Sequence, residues 1–198
     1  MKKILFLLTF LLAVFPLFPQ VARAEYTMGI VGYGNRVKHT NIPVEALEQA
    51  QKIFSDILNT ELVTIQGVTI LDPSERATQA RIEEMCFQLD LGNPSSVISD
   101  FSVHPDYLVY GYLTNFTITR REAMLSQNYT VRSDFTVRIL NASTGQVVAT
   151  ASGTGITETH GANVAKDTLE FSDISQDSWC TSVEDALTVI GKKLRKKV

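Results

Sequence analysis

Residues 107–119 read YLVYGYLTNFTIT, and this stretch says more about the fold than any other part of the chain. In an extended strand, alternate side chains point to opposite faces. One face would carry Leu108, Tyr110, Tyr112, Phe116 and Ile118, and the other would carry Val109, Gly111 and Leu113. Because both faces are apolar, the stretch predicts a central strand that is covered on both sides.

The next apolar stretch, residues 129–140, reads YTVRSDFTVRIL and alternates between apolar and polar residues. This alternation predicts a strand with one packed and one solvent-facing side. Residues 141–145 (NASTG) have turn chemistry, so residues 146–156 are expected to return as the hairpin partner. That partner carries small residues on one side, namely Ala149, Ala151, Gly153 and Gly155.

Helices and further strands are expected on either side of this meander. Residues 43–59 have helical periodicity, and a second helix is expected to begin at Asp72, with Glu75 at capping-box spacing. The last helix would place one apolar stripe at Trp179, Val183, Ala186, Leu187, Ile190 and Leu194. Residues 27–33 and 62–71 predict two strands. The order β-α-β-α-β-β-β-α predicts an α+β fold, a mostly antiparallel mixed sheet with helices packed on it.

Residues 1–24 have the three parts of a cleavable export signal: two lysines after the first methionine, an apolar run, and small residues at Ala22 and Ala24. Cleavage near Ala24–Glu25 would leave one domain, residues 25–198, in the periplasm or outside the cell. No transmembrane segment is expected in the mature chain, because a spanning helix needs about 20 apolar residues. Since no cysteine stands at the cleavage point, the protein is expected not to be a lipoprotein.

The net charge of this domain restricts the classes of partner that it is expected to bind. Without its signal segment it has 15 basic and 21 acidic residues, a formal charge of −6, so no nucleic-acid partner is expected. Five basic residues end the chain and form a candidate interaction surface: Lys192, Lys193, Arg195, Lys196 and Lys197. They suit a weak contact with an anionic surface; the alternative is favourable charge at a helix C-terminus.

The two cysteines, Cys86 and Cys180, leave two alternatives open. An even pair in an oxidising compartment can form a disulfide, and the other possibility is two buried free thiols. No C-x-x-C spacing is present, so a redox-active pair is not expected.

No catalytic residue, cofactor site or metal site is predicted. His39, His104 and His160 lie far apart in predicted loops, and none has the spacing of a zinc site. The glycines at 29, 32 and 34 resemble a phosphate-binding turn only weakly, and close strand packing explains them better. Four acids between residues 157 and 178 leave calcium binding as an alternative: Asp167, Glu170, Asp173 and Asp177.

Several of these stretches resemble one family of bacterial envelope proteins. Residues 106–111 (DYLVYG) are similar to a strand of CsgG-type proteins, and residues 135–148 (FTVRILNASTGQVV) to their hairpin, which closes at Gly153–Gly155. The helix at 43–59 followed by residues 67–72 (GVTILD) resembles a further block of that family. The resemblance covers most of residues 27–195.

The resemblance implies an α+β domain like those of the curli secretion channel subunit, penicillin-binding-protein activators and the amino-terminal domain of TolB. Such relatives are not enzymes, and they oligomerise or dock onto envelope machines. The expected function is a non-enzymatic, exported interaction module for envelope assembly, export or polymer synthesis, with envelope proteins or copies of itself as partners. Its candidate surfaces are residues 26–33, residues 157–178 and the basic C-terminus. The alternatives are a small-ligand or metal-binding protein and a hydrolase with an unrecognised site.

Overall fold

The computed structural model describes residues 25–37, 42–73, 77–123, 126–160 and 170–197, so the predicted signal segment lies outside the described residues. The elements in chain order are β1 (Tyr26–Asn35), α1 (Val44–Leu62), β2 (Val68–Leu71), α2 (Gln79–Asp90), α3 (Ser95–Ile98), β3 (Tyr107–Ala123), β4 (Ser126–Asn141), β5 (Val147–His160), a short 3-10 helix (Phe171–Asp173) and α4 (Gln176–Arg195).

The strands form one mixed sheet in the order β2-β1-β3-β4-β5. β1 pairs in parallel with β2 and with β3, whereas β3, β4 and β5 form an antiparallel meander. Helices pack on this sheet, and the predicted α+β class is confirmed.

Two hydrophobic cores lie on opposite faces of the sheet. On the first face, α1 and α4 pack over the strands around Phe54, Phe135 and Trp179, which are fully buried. On the second face, α2 and α3 cover β1 and the beginning of β3, around Leu108 and Tyr110. The beginning of β3 is therefore covered on both sides, as its apolar sequence predicts.

A bulge at Thr114 changes which residues of β3 share a face. Leu113 pairs with Phe135 of β4, but Asn115 pairs with Asp134, so Thr114 is the extra residue. One inserted residue reverses the alternation of every residue after it. Phe116 and Ile118 consequently pack in the first-face core with Leu113. Their predicted place beside Leu108 was wrong, because a regular alternation cannot anticipate a bulge.

Several predicted boundaries also need correction. Of the predicted strand 62–71, only Val68–Leu71 is extended, because α1 continues to Leu62 and a turn with positive φ at Gly67 follows. The second helix begins at Gln79 rather than after Asp72, and the hydroxyl of Thr78 caps it by accepting from the Arg81 amide. Glu75, the expected capping partner, lies outside the described residues. Strands β3 and β5 extend further than predicted, and α3 was not predicted.

The small residues of β5 allow α4 to lie unusually close to the sheet. Ala149, Ala151, Gly153 and Gly155 share one face, as predicted, and all four are buried on the first face of the sheet. A Cβ added at Gly155 would lie 1.7 Å from the Ser182 carbonyl oxygen, and one at Gly153 would lie 2.4 Å from the Ala186 carbonyl oxygen. Only glycine permits this approach of helix backbone to strand backbone.

The glycines of β1 serve packing and a bulge. Gly32 has a φ of 128° at a register shift between β1 and β3. The side chain of Gln51 fills the gap there: its Oε1 accepts from the Tyr33 amide at 3.0 Å, and its Nε2 donates to the Tyr33 carbonyl. Gly29 and Gly34 lie directly beneath the rings of Phe101 and Tyr112. These contacts explain the three glycines by close packing, the favoured alternative to a phosphate turn.

The two cysteines are free and buried, so the disulfide considered as one alternative is not formed. Cys86 on α2 belongs to the second-face core, whereas Cys180 on α4 belongs to the first-face core. The sheet separates them, because their helices pack on opposite faces. The structure agrees with the other alternative, two buried thiols.

Candidate interaction surface

Strand β5 lies at one edge of the sheet and pairs with β4 alone among the described strands. Its odd-numbered residues from Ala149 to Gly155 are buried beneath α4, and its even-numbered residues from Thr150 to Ile156 are exposed on the second face. Apolar side chains are also exposed along it: Val147 (48%), Val148 (52%) and Ile156 (54%). A long edge strand with exposed apolar residues is a template for pairing with another chain.

Two lysines of the basic C-terminus reach this edge. Lys193 Nζ donates to the Ser152 carbonyl at 2.7 Å, and Lys197 Nζ donates to the Thr150 carbonyl. Lysine side chains at an edge strand are a common protection against unwanted strand pairing. Two of the five basic residues thus contact the edge strand.

The other three basic residues differ in their contacts. Arg195 forms an ion pair with Glu61 of α1 at 3.4 Å, which joins the end of α4 to α1. Lys192 and Lys196 are exposed to solvent. The predicted basic surface is therefore smaller than the sequence suggests, because three of its five residues contact other parts of the protein.

The even-numbered side chains of β4 from Arg132 to Arg138 and of β5 from Thr150 to Ile156 lie on the second face. They are exposed or half-buried among the described residues and form an open polar face. Asp134 lies at its centre and accepts hydrogen bonds from Arg132 Nε at 3.1 Å, from Asn115 Nδ2 at 2.9 Å and from the Thr154 hydroxyl. Burial alone would raise the pKa of Asp134, but these hydrogen bonds outweigh it and hold the pKa below its ordinary value.

A second polar cluster joins the end of α2 to the sheet. Asp90 accepts from Arg138 Nη1 at 2.7 Å and from the Tyr110 hydroxyl at 3.1 Å, and it also pairs with Arg36. The Arg36 guanidinium lies 3.5 Å from the ring centroid of Tyr112, a cation–π contact. Burial raises the pKa of Tyr110, so this hydroxyl stays protonated and donates. Each member of the cluster has a partner, which favours a structural role.

The other sequence candidates are dispersed. His104 is exposed in the segment before β3, while His39 and the side chain of His160 fall outside the described part of the chain. Within that part, no three metal-ligating side chains come together and no helix is long and apolar enough to cross a membrane.

Two of the predicted surfaces change in the structure. Residues 26–33 were proposed as a contact surface, but β1 lies between β2 and β3 and its residues 28–34 are buried. Of residues 157–178, the first four extend β5 and residues 161–169, which include Asp167, lie outside the described residues. Glu170 and Asp173 cap the short 3-10 helix, with the Glu170 amide donating to Asp173 Oδ2 at 2.8 Å. Asp177 lies in the first turn of α4.

Sequence reasoning missed the main feature of this surface, the edge position of β5. The exposed residues Val147 and Val148 beside a turn were the available signal. They do not by themselves reveal which strand ends the sheet, because the sheet order depends on long-range pairing.

No protein-family model matches the chain, and no curated protein matches its sequence. Solved structures that it resembles include the lipoprotein GNA1162 from Neisseria meningitidis (12% identity, 72% of this chain and 88% of that chain covered, TM-score 0.40). A second is the PelC dodecamer from Paraburkholderia phytofirmans (18% identity, 87% and 91% covered, TM-score 0.40). A third is the LpoB C-terminal domain from Salmonella enterica (15% identity, 68% and 85% covered, TM-score 0.33). At these identities and TM-scores, the similarity carries no inference about activity.

The comparison corrects one expectation. Matched structures from Neisseria meningitidis, Caulobacter crescentus and Acinetobacter baumannii are described as lipoproteins. The sequence predicted a periplasmic or secreted protein that is not a lipoprotein, because no cysteine stands near residue 24. These descriptions contradict that prediction.

Proposed function

We propose that this protein is a non-enzymatic interaction module of a bacterial cell-envelope system of the CsgG type, working in envelope assembly, export or polymer synthesis. Its partners are envelope proteins, and copies of itself are a second class of partner. The sequence resemblance supports this assignment, because its motifs fall on regular elements: residues 107–111 begin β3, and residues 142–146 connect β4 to β5.

The observation that carries the proposal is the exposed surface around β5. The edge strand borders the open polar face, and Lys193 and Lys197 of α4, which packs on the other face of the sheet, reach its backbone carbonyls. Such a surface offers backbone hydrogen bonds, side-chain hydrogen bonds and charge to a partner, the features by which strands and sheets bind other proteins.

The polar clusters fit binding better than catalysis. A general base that works near neutral pH needs a pKa near 7. Asp134 has the opposite property, because its hydrogen bonds hold its pKa below the ordinary value of an aspartate. Its oxygens are also occupied by Arg132, Asn115 and Thr154. This carboxylate holds β3, β4 and β5 together and is poorly placed to transfer protons.

The basic C-terminus adds a weaker contact. With Lys193 and Lys197 bound to β5 and Arg195 paired to Glu61, the contact with an anionic surface falls to Lys192 and Lys196. Two exposed lysines supply on the order of 1 kcal/mol each near an anionic membrane surface. Such a contact assists placement but does not anchor the protein.

Photo-crosslinking in living cells tests the proposal. A photoreactive residue is placed at Thr154 on β5, at Thr136 on the open face, or at Glu48 on the solvent side of α1 as the matched control. The proposal expects the same envelope protein, or a second copy of the chain, to be captured from positions 154 and 136 and not from position 48. Equal capture from all three positions, or capture from none, would contradict it.

A further inference from the structure

The backbone of β5 has one set of groups that faces away from the sheet. In an antiparallel strand, the N–H and C=O of one residue point to the same side, and residues two apart repeat that direction. The carbonyls of Thr150 and Ser152 accept from lysines of α4. The outward set therefore consists of the even-numbered residues, and it continues through Thr154 and Ile156.

The outward set has two unlike halves. In the first half, at Thr150 and Ser152, ammonium groups occupy the carbonyls. In the second half, at Thr154 and Ile156, the carbonyls accept no lysine contact within the described part of the chain. The second half also exposes the Ile156 side chain. A chain that pairs with β5 can therefore form hydrogen bonds freely at Thr154 and Ile156, whereas at Thr150 and Ser152 it has to displace the lysines.

The lysines beside this edge determine which charge a pairing chain should carry. Lys193 and Lys197 lie on the edge itself, and Lys192 and Lys196 are exposed in the same last turns of α4. A pairing strand that passes Thr150 and Ser152 comes close to the ammonium groups of Lys193 and Lys197. Like charges there oppose pairing, whereas acidic side chains attract and neutralise the lysines.

We propose that β5 is a strand-addition site for an extended acidic segment of an envelope protein partner. This inference rests on the proposed function and names the partner chemistry of the same surface. The partner's N–H groups bind the carbonyls of Thr154 and Ile156, and its carboxylates draw Lys193 and Lys197 away from the first half of the edge. The released carbonyls of Thr150 and Ser152 then accept two further N–H groups of the partner.

A second copy of the chain fits this edge less well. Two β5 strands that pair about a two-fold axis at Ser152 would bring both copies of Lys193 and Lys197 together, four ammonium groups within one short interface. That repulsion is what makes a lysine-bearing edge resist pairing between copies. A partner with acidic residues does not experience this repulsion.

Peptide binding to the purified protein separates strand addition from simple charge attraction. The parent probe is a labelled peptide of about ten residues, with alternating valine and threonine and three glutamates in its C-terminal half. Pairing antiparallel to β5 places that half beside Thr150 and Ser152. A second peptide carries lysines in place of the glutamates. A third keeps the glutamates but is N-methylated at every second residue, which removes one row of N–H donors and leaves the charge unchanged. Fluorescence anisotropy at two salt concentrations gives the affinities.

The proposal expects the parent peptide to bind, the N-methylated peptide to bind about tenfold more weakly or worse because it loses several hydrogen bonds, and the lysine peptide not to bind. On the protein side, Ile156→Pro removes an outward N–H and leaves the β4 pairing intact, so it is expected to weaken binding of the parent peptide similarly. Glu48→Gln on the exposed side of α1 serves as the control, because a proline there would break the helix. This variant is expected to bind as wild type does.

Equal binding of the parent and N-methylated peptides would overturn strand addition and leave only charge attraction. Absence of parent binding would overturn it as well, and so would a wild-type dimer that Ile156→Pro dissociates, since a second copy would then occupy the edge. If the peptides fail while cellular crosslinking from position 136 still captures a partner, this inference fails and the proposed function stands.

Discussion

Replacing Gly155 by alanine should destabilise the protein far more than one added methyl group ordinarily does. Gly155 lies on β5 beneath α4, and the new Cβ would come within 1.7 Å of the Ser182 carbonyl oxygen. Carbon and oxygen atoms without a bond between them stay about 3.3 Å apart. Because the clash is between two backbones, no side-chain rotation can relieve it, and α4 has to move away by more than about 1 Å.

The size of the effect follows from that displacement. A gap of 0.5–1 Å forfeits about a quarter to a half of each van der Waals contact along the interface, and overpacking a core costs about 1–3 kcal/mol, occasionally more. Trp179, Val183 and Ile190 of α4 are fully buried, so a long interface loses contact at once. We expect a loss of about 3 kcal/mol, although alanine is otherwise about 0.5–1 kcal/mol better than glycine within a strand.

Thermal unfolding followed by circular dichroism checks this value. For a domain of this size, 1 kcal/mol corresponds to about 2–4 °C in Tm, so Gly155→Ala should melt roughly 6–12 °C below wild type. Gly153→Ala should lose less, because its Cβ would lie 2.4 Å from the Ala186 carbonyl. Ile156→Ala, an exposed change on the same strand, should stay within about 2 °C. A Gly155→Ala protein that melts as the Ile156→Ala control does would refute the close approach of α4.

Three further predictions concern the edge, the thiols and the pH dependence. Lys193→Gln combined with Lys197→Gln should promote self-association, because the variant lacks the charges that oppose pairing of two β5 strands. Light scattering that shows no change from wild type would count against this. Burial raises the pKa of Cys86 to about 12 and also raises that of Cys180, so neither thiol should react with a thiol reagent at pH 8 until urea unfolds the protein; prompt labelling of the native protein contradicts it. The folded-state pKa of Asp134 is lowered, so its stabilising contribution is complete above the unfolded pKa of about 3.9 and is lost as the pH falls through the folded value. The stability difference between wild type and Asp134→Asn should therefore stay constant between pH 5 and 7 and shrink below about pH 4 in denaturant titrations; a constant difference down to pH 2 would disprove the lowered pKa.

Local patterns were sufficient to predict the class of the fold and most of its elements. The alternation of residues 129–140 and the apolar stripe from Trp179 to Leu194 are set by local geometry, and both are found as expected. The bulge at Thr114 could not be predicted, because it depends on how β3 pairs with β4. The start of the second helix was also predicted incorrectly, because Thr78 caps the helix instead of Asp72.

The candidate surface was only partly predictable. The sequence identifies the lysines near the C-terminus but not their partners, because Lys193 and Lys197 contact strand carbonyls about 40 to 50 residues earlier in the chain. It also leaves the pairing of Cys86 and Cys180 open, since only the packing of their helices on opposite faces keeps them apart. A composition-based argument likewise cannot find an edge strand, because sheet order is a property of the whole fold.

Amide hydrogen exchange along β5 tests the central claim most directly. The measurement compares the outward amides of Thr154 and Ile156 with the inward amides of Gly153 and Gly155, in the free protein and in the complex recovered by crosslinking. The account predicts that the outward amides exchange rapidly in the free protein and become protected in the complex, while the inward amides are protected in both. Outward amides that are already protected in the free protein, or that exchange equally fast in the complex, would contradict it.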